Sequence, residues 1–183
     1  AASDVYKRQV SDIEKLKKEK NAVILAHYYV DEDVQDIADY IGDSFYLSKV
    51  ATKIDQDRII FAGVEFMGES AKILNQDKRV FMPDMNADCP MAHMADKDEI
   101  LKLREEYDDL AVVCYINSTA ELKKYSDVCV TSSNAVKIVK NLPNKNIFFI
   151  PDRNLGHFVA KQCPDKNFIF NNGCCPRHVV ITK

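Results

Sequence analysis

Ala22-Val23-Ile24-Leu25-Ala26 and Leu110-Ala111-Val112-Val113-Cys114 are two short apolar runs that begin 88 residues apart. A run of this length without a polar interruption is typical of a β-strand that is buried on both faces of a parallel sheet. Other residues match when the chain is shifted by the same 88 places, and the sequence therefore predicts a duplicated unit. The matching pairs are Phe61 with Phe149, Gly68 with Gly156, Asp77 with Asp165 and Lys78 with Lys166.

Strands and helices are predicted to alternate along both halves of the chain. Further strands are predicted at residues 59–61, 80–82, 128–130, 147–150 and 168–170. Helices are predicted over 11–20, 33–41, 44–54, 66–74, 96–107, 133–142 and 155–161, the first from the capping box Ser11-x-x-Glu14 and the second with Gly42 as its stop. This order predicts an α/β fold of pseudo-symmetric, duplicated units with short parallel sheets flanked by helices.

We expect the two repeats to cover residues 10–95 and 96–174, and residues 175–183 to begin a linker to a third repeat. The segment Asp4-Val5-Tyr6-Lys7-Arg8-Gln9 reads like a translated sequencing adapter, so residues 1–9 are treated as a cloning scar. With no closing element after the last cysteine motif, the chain is expected to be a fragment of a longer gene product.

Composition excludes several classes of function. The net charge of -3 argues against binding to a nucleic-acid backbone, which requires a basic face. No apolar run approaches the roughly 18 residues that a membrane-spanning helix needs. Six cysteines without a secretion signal favour metal or redox chemistry in a reducing cytoplasm over a disulfide framework.

Five of the six cysteines have three different predicted roles. Cys89 and Cys175 each precede a proline and occupy equivalent ends of the two repeats, so a third repeat with a third cysteine would complete three thiolates around an iron–sulfur cluster with one open position. Cys114 and Cys129 alternate with valines and are predicted to be inert core thiols, whereas Cys163 is predicted to lie in a loop.

Two alternatives remain open at this stage. Cys89, His93, Cys175 and His178 have the ligand count of a structural zinc site, which would make the chain a non-catalytic metal-binding module. The adjacent pair Cys174-Cys175 would instead suit a redox protein, although adjacent cysteines form a strained disulfide.

Polar residues at the predicted strand ends are candidates for binding and proton transfer. Ser44 and the run Thr131-Ser132-Ser133-Asn134 precede helices, where free N–H groups favour a carboxylate or a phosphate. His27, Tyr29 and Tyr115 are the candidates for proton transfer. Asn117 is placed to orient a carbonyl or a carboxylate.

Seven motifs together resemble the quinolinate synthase A family, over essentially all of residues 10–183. They are Leu25-Ala26-His27-Tyr28-Tyr29, Gly42-Asp43-Ser44, Phe61-Ala62-Gly63-Val64-Glu65-Phe66-Met67, Cys89-Pro90-Met91-Ala92, Tyr115-Ile116-Asn117-Ser118, Thr131-Ser132-Ser133-Asn134-Ala135 and Pro151-Asp152-Arg153-Asn154-Leu155. The resemblance implies three pseudo-symmetric α/β domains around a 4Fe-4S cluster, with Cys89 and Cys175 as two of its three ligands.

The resemblance also implies a reaction. Family members condense iminosuccinate (iminoaspartate) with dihydroxyacetone phosphate to quinolinate, phosphate and water in NAD biosynthesis, with a functional link to L-aspartate oxidase. The implied acid/base residue is Tyr29, with His27 and Tyr115 as further catalytic residues. The implied contacts to iminosuccinate are His27, Ser44, Tyr115, Ile116, Asn117 and Ser132.

Two departures from the family pattern affect these expectations. Residue 174 is Cys where the family more often has an aromatic residue or His. The third-domain His, Glu, Thr and cluster Cys are absent. We therefore expect the 183-residue chain by itself to be inactive and to hold a cluster poorly.

Overall fold

The chain forms two units that divide between Asp88 and Cys89. A computed structural model describes residues 2–181. The first unit contains α1 (Ala2–Glu19), β1 (Ala22–His27), α2 (Glu32–Asp36), β2 (Tyr40–Gly42), α3 (Ser44–Ala51), β3 (Arg58–Ala62), α4 (Glu65–Leu74) and β4 (Arg79–Phe81). The second contains a 3₁₀ turn (Pro90–His93), α5 (Lys97–Glu106), β5 (Leu110–Tyr115), α6 (Ala120–Lys124), β6 (Val128–Val130), α7 (Ala135–Asn141), β7 (Asn146–Ile150), α8 (Arg153–Gln162) and β8 (Asn167–Phe170).

The first unit is built on a four-stranded parallel sheet with the strand order β2-β1-β3-β4. Residues 23–27 of β1 are all buried, as predicted for a strand covered on both faces. Leu25, Phe61, Leu47 and Ala71, from β1, β3, α3 and α4, are fully buried. Apolar burial of this kind is the main favourable term in folding.

The second unit has a sheet of the same kind, with the order β6-β5-β7-β8. Alternate residues of β5 enter two different clusters. Ala111 and Val113 pack with residues of α7 and α8, whereas Val112 and Cys114 pack with residues of α5 and α6. Both faces of the sheet are therefore covered, which explains the continuous apolar run in β5.

The register of the two sheets repeats at the predicted interval. Ala22 pairs with Arg58, and 88 residues later Leu110 pairs with Asn146. The helices α4 and α8, and likewise α2 and α6, begin and end at positions that differ by the same 88 residues. The prediction of duplicated α/β units with parallel sheets is confirmed.

One aspartate in each unit links the short edge strand, β2 or β6, to the neighbouring strand, β1 or β5, by hydrogen bonds. Asp39 Oδ2 accepts the N–H of Ile24 at 2.8 Å, and its own N–H donates to the Ile24 carbonyl. Asp127 makes the same pair of bonds with Val112, with 2.7 Å to Oδ2. A basic residue from the preceding helix, Lys17 or Arg104 respectively, forms an ion pair with each aspartate.

The helix predicted over residues 33–41 is wrong. The helix α2 spans only Glu32–Asp36, with Asp31 rather than Asp33 as its N-cap, and Tyr40–Gly42 forms β2 instead. Tyr and Ile suit a pleated strand, and pairing with Leu25–His27 outweighs helix propensity here. Gly42 ends this strand, so it is not a helix stop, and a side chain there would collide with the Tyr46 ring.

The first helix also begins earlier than predicted. Its backbone is helical from Ala2, so Ser11 and Glu14 lie inside α1 rather than in a capping box. The helix therefore includes most of the segment that the sequence analysis set aside as a cloning scar. Glu14 instead pairs with Lys17 at 2.7 Å on the helix surface.

One of the cysteine predictions requires correction. Cys129 is exposed rather than part of the core, because it lies on the edge strand β6, although its register partner Cys114 is buried as predicted. Cys163 lies between α8 and β8, as predicted for a loop residue, but it is fully buried there and joins the cluster under β5 and β7. No cysteine among the described residues forms a disulfide.

Asp127→Ala should lower the free energy of unfolding by about 1–3 kcal/mol, because the N–H of Val112 would lose its carboxylate acceptor. Urea unfolding followed by circular dichroism measures the change. Glu105→Ala on the exposed side of α5 is the matched control and should change stability by less than about 0.5 kcal/mol. Equal effects of the two substitutions would contradict this role of Asp127.

Candidate functional site

The candidate residues of the first unit lie at the carboxyl edge of its sheet. His27 is the last residue of β1 and pairs with Gly42, the last residue of β2. The chain continues from these ends into Tyr28 and Tyr29 on one side and into Asp43 and Ser44 on the other. Parallel α/β sheets bind ligands at this edge. The fold therefore brings the first-unit candidates together on neighbouring strands.

His27 is held as a neutral imidazole. Its side chain is buried, with 6% relative exposure, and Nδ1 accepts the backbone N–H of Tyr29 at 3.2 Å. Burial lowers the pKa of His27, although the nearby carboxylate of Asp43 opposes the shift. Since Nδ1 is an acceptor, the neutral ring carries its proton on Nε2. His27 is thus prepared to donate one hydrogen bond from Nε2.

Two tyrosines surround this imidazole. The ring centroids of Tyr28 and Tyr29 lie 4.6 Å and 4.5 Å from that of His27, and the two phenol rings meet edge to face. Tyr29 is 82% exposed. Burial, together with Tyr29 and Asp43, raises the pKa of the Tyr28 phenol. The cluster presents a histidine and two phenols at the end of β1.

Ser44 is not the cap of its helix. Asp43 is the N-cap of α3, and its Oδ1 accepts the N–H of Tyr46 at 2.7 Å. Ser44 is the first residue of α3 and is half-buried. Because Asp43 performs the capping, the Ser44 side chain is not needed for it. A hydroxyl at the first turn of a helix suits an anion, whereas the adjacent carboxylate of Asp43 repels one.

The second unit carries its candidates at the equivalent edge. Tyr115 ends β5 and pairs with Val130, the last residue of β6. The N–H of Ile116 donates to the Val130 carbonyl at 2.8 Å, and its own carbonyl accepts the N–H of Ser118. Asn117 is half-buried in the bend that follows. Ile116 therefore offers a ligand chiefly its apolar side chain, and Asn117 offers an amide.

Ser132 occupies a turn rather than a helix. It is exposed and lies three residues before α7. Asn134 Oδ1 accepts the N–H of Thr131 at 2.7 Å, and the hydroxyls of Thr131 and Ser133 lie 2.9 Å apart. Hydrogen bonds among Thr131, Ser133 and Asn134 therefore stabilise the turn without the Ser132 side chain. Ser132 and Ser44 follow equivalent strand ends but differ in local structure.

The loops that bear Cys89 and Cys175 are anchored in the same way. The N–H of Glu65, the first residue of α4, donates to the Ala87 carbonyl at 2.8 Å. The N–H of Arg153, the first residue of α8, donates to the Gly173 carbonyl at the same distance. Each anchor lies two residues before its cysteine. The structure thus supports the predicted equivalence of Cys89 and Cys175 in spite of a two-residue difference in the repeat.

Each of these cysteines also begins a tight turn. The Cys89 carbonyl accepts the N–H of Ala92 at 2.9 Å, and the Cys175 carbonyl accepts the N–H of His178 at 3.1 Å. Both thiols are half-buried and free of disulfides. Proline at the first position of each turn has no N–H to satisfy, which favours this geometry. Two thiols without disulfides, in matched turns, have the donor chemistry that an iron–sulfur cluster requires.

Contacts within the second unit link the two cysteine loops. The Asn171 amide nitrogen donates to the Met94 carbonyl at 2.8 Å, just after the turn that Cys89 begins. A side chain at position 173 would meet the Pro151 carbonyl oxygen at 2.3 Å and Met94 Cβ at 2.8 Å. Glycine is required at this close approach. Asn171 and Gly173 therefore position the segment that leads to Cys175.

Sequence reasoning did not identify Asn171 or Gly173 as positioning residues. The signal was present, because an Asn-Gly dipeptide before the second Cys-Pro marks a special backbone segment. Asn171 is buried, and its Oδ1 has no hydrogen-bond partner among residues 2–181. Asp152 was also missed as the N-cap of α8, where Oδ1 accepts the N–H groups of Asn154 and Leu155.

The zinc alternative finds no support in the placement of side chains. Within residues 2–181, no three or more His, Cys, Asp or Glu side chains come together in a way that holds a metal ion. His93 and His178 are both exposed. A site of four ligands from Cys89, His93, Cys175 and His178 would require such a group. The cluster hypothesis places only two ligands in this chain.

The fold and these residues define a duplicated α/β protein with polar candidates at the carboxyl edges of both sheets and a matched pair of cysteines that form no disulfide. Among the residues that the structure describes, no helix combines the length and the apolar character that crossing a membrane requires.

The family model described as "NadA: Quinolinate synthetase A protein" matches residues 11–183, so the chain belongs to this family. It is 63% identical over 169 residues to the "Quinolinate synthase" of Fusobacterium nucleatum subsp. nucleatum, which covers 92% of this chain and 57% of that protein. The "Quinolinate synthase" of Clostridioides difficile is 54% identical over 166 residues, or 91% of this chain and 55% of that protein. The chain thus spans little more than half the length of these relatives.

A solved structure of E-1-hydroxy-2-methyl-but-2-enyl-4-diphosphate reductase from Plasmodium falciparum is similar over 89% of this chain and 54% of that chain. The identity is 19% and the TM-score is 0.31, which is too low to support an inference.

NMR titration of the His27 imidazole should give an apparent pKa below the usual value of about 6.5, with the proton on Nε2 at neutral pH. Asp43→Asn keeps the capping oxygen of α3 and should lower the pKa further. Because the unfolded chain binds this proton more readily, the free energy of unfolding should fall as the pH drops below about 6.5.

His27→Asn is the control for the stability measurement, and its free energy of unfolding should depend less on pH in that range. A proton on Nδ1 at neutral pH, or a pKa above 6.5, would contradict the assignment of His27 as a neutral donor.

Proposed function

We propose that the full-length protein containing this chain is a quinolinate synthase. It condenses iminosuccinate (iminoaspartate) with dihydroxyacetone phosphate to give quinolinate, phosphate and water in NAD biosynthesis. Membership of the family over residues 11–183 supports the assignment. Since the chain covers 57% of its Fusobacterium relative, the reaction belongs to the longer protein, and the 183-residue chain alone is expected to be inactive.

The observation that carries the proposal is the equivalent anchoring of Cys89 and Cys175. Matched backbone bonds hold each cysteine two residues beyond an anchor, and both thiols are half-buried and free of disulfides. We propose that they are two ligands of a 4Fe-4S cluster and that a third thiolate comes from outside these 183 residues. When bound, a cluster with one iron not held by thiolate supplies a Lewis acid for an oxygen or nitrogen ligand.

The first unit contributes binding and proton transfer. His27 donates from Nε2 to a carboxylate or carbonyl oxygen of iminosuccinate, because its Nδ1 is already occupied. The Ser44 hydroxyl, at the first turn of α3, binds the same dianion. Tyr29 is the acid/base residue, and its phenol moves a proton during the condensation. Its exposure in this chain leaves the phenol oxygen open to a reactant.

The second unit contributes further contacts to iminosuccinate. Tyr115 ends β5 and supplies a phenol that is a second candidate for proton transfer. Asn117 orients a carboxylate through its amide, and Ser132 donates from the turn before α7. Ile116 supplies apolar contact, because its backbone N–H is bonded to Val130.

The source and the place of the reaction follow from the same proposal. Iminosuccinate is an unstable imine, so an L-aspartate oxidase that produces it nearby is the proposed functional link. The six cysteines, all without disulfides among the described residues, favour a reducing cytoplasm. The alternative of a zinc-binding module would need a four-ligand group that residues 2–181 do not contain.

Anaerobic reconstitution with iron and sulfide tests the ligand assignment in the full-length protein. Cys89→Ala and Cys175→Ala should each lose most of the visible absorbance of the cluster, because a thiolate ligand is removed. Cys174→Ala is the matched control and should retain it. Loss in the Cys174 variant with retention in the Cys175 variant would reverse the assignment, and a colourless protein with bound zinc would support the zinc module.

Tyr29→Phe tests the proposed chemistry in the full-length enzyme with iminosuccinate and dihydroxyacetone phosphate. Removal of the phenol hydroxyl should lower kcat by about 10²- to 10⁴-fold, since the positioned proton donor is lost. The control Tyr107→Phe lies against the core of the second unit and should keep its rate. Full activity of the Tyr29 variant would rule out the acid/base role.

A further inference from the structure

Cys114 and Cys129 are direct partners across two parallel strands. They pair in register between β5 and β6, one position before the pair of Tyr115 with Val130. Their side chains lie on the same face of the sheet. Cys114 packs with the residues of α5 and α6, whereas Val128 and Val130 on either side of Cys129 pack against the opposite face.

The spacing of the two strands permits a disulfide but strains it. Neighbouring strands lie about 4.8 Å apart, whereas disulfides span Cα separations of about 4.4–6.8 Å with a preference near 5.5–6 Å. A bridge between register partners therefore falls at the short end of the permitted range. Strained disulfides are more easily reduced than relaxed ones.

The two thiols differ in access and in acidity. Cys129 is exposed on the edge strand, whereas Cys114 has no exposed surface. A hydrogen bond from Cys129 lowers the pKa of the Cys114 thiol, with help from the hydroxyls of Ser118 and Ser126 and the charge of Lys123. The same bond and burial raise the pKa of Cys129. One cysteine is thus reachable from solvent, and the other is the better thiolate.

We propose that Cys114 and Cys129 form a reversible disulfide, with glutathione disulfide as the oxidant. The thiol of Cys129 exchanges with glutathione disulfide, which forms a mixed disulfide and releases one glutathione thiol. In the mixed disulfide Cys129 has no S–H to donate, so the Cys114 thiol loses its proton as it attacks the Cys129 sulfur, and the departing glutathione thiolate takes up a proton. Two cysteine thiols are oxidised, and one molecule of glutathione disulfide is reduced to two of glutathione.

The bridge would join two strands that lead into the candidate site. Tyr115 follows Cys114 directly, and Ser132 lies three residues beyond Cys129. A change in the spacing of these strand ends would move both residues. The oxidation itself does not depend on the proposed function, whereas any effect on turnover would rest on it.

Peptide mapping after anaerobic exposure to glutathione disulfide tests the pair. Trypsin leaves Cys114 in residues 105–123 and Cys129 in residues 125–137, while Cys163 lies in residues 162–166. The folded chain should yield the first two peptides joined, at their summed mass less two hydrogen atoms. Dithiothreitol should separate them. The other cysteines fall in different peptides and do not interfere with the measurement.

Cys129→Ser should lose the joined peptides completely, and because this side chain is exposed the variant should fold. The matched control Cys163→Ala should form them as the unmodified chain does. Glutathione attached to Cys129 with Cys114 still reduced would overturn the proposal. So would two reduced thiols, or joined peptides that arise only after denaturation.

Discussion

The carboxylates of Asp39 and Asp127 hold the edge strands β2 and β6 in register with their neighbours β1 and β5. Each carboxylate accepts a backbone N–H of the central strand, and the backbone of the same aspartate donates back to that strand. The edge strands β2 and β6 have three residues each, so each adds only three register pairs to the sheet, and the aspartate bonds reinforce them. A slip of one residue would invert the faces of the edge strand. These two side chains therefore decide which residues end at the carboxyl edge.

The register of β2 and β6 determines which side chains lie at the carboxyl edge of each sheet. With β2 in its observed register, Gly42 pairs with His27, and Asp43 lies close enough to oppose the burial that keeps the imidazole neutral. In the second unit the same register pairs Val130 with Tyr115. A common frame thus presents an imidazole in one repeat and a phenol in the other. At these strand ends the difference between the units lies in the side chains, since β1 with β2 and β5 with β6 pair in equivalent registers.

Strands and helices with long apolar runs could be predicted from the sequence. Features that depend on contacts with other parts of the fold could not. β1, β5 and α4 were found because their patterns are continuous and strong. β2 was mistaken for the end of a helix, because Asp39 ties it to β1 from outside the strand, whereas the equally short β6 was predicted correctly from its valines. In the site, strand-end positions were predictable for His27 and Tyr115, whereas the exposure of Cys129 depends on its strand lying at an edge, which local pattern does not reveal.

The two repeats differ in length by two residues, and the position of this difference shows which part of each cysteine loop keeps a fixed length. The strands β4 and β8 pair with their neighbours at positions that differ by 88 residues, yet the anchors Ala87 and Gly173 and the cysteines beyond them differ by 86. The length change is therefore absorbed between the strand and the anchor. Beyond the anchor, the spacing to the cysteine is the same in both repeats, and each cysteine carbonyl accepts the N–H of the residue three places on. A loop that served only to connect elements could have lost residues anywhere, so this pattern favours a geometric requirement on the thiols themselves.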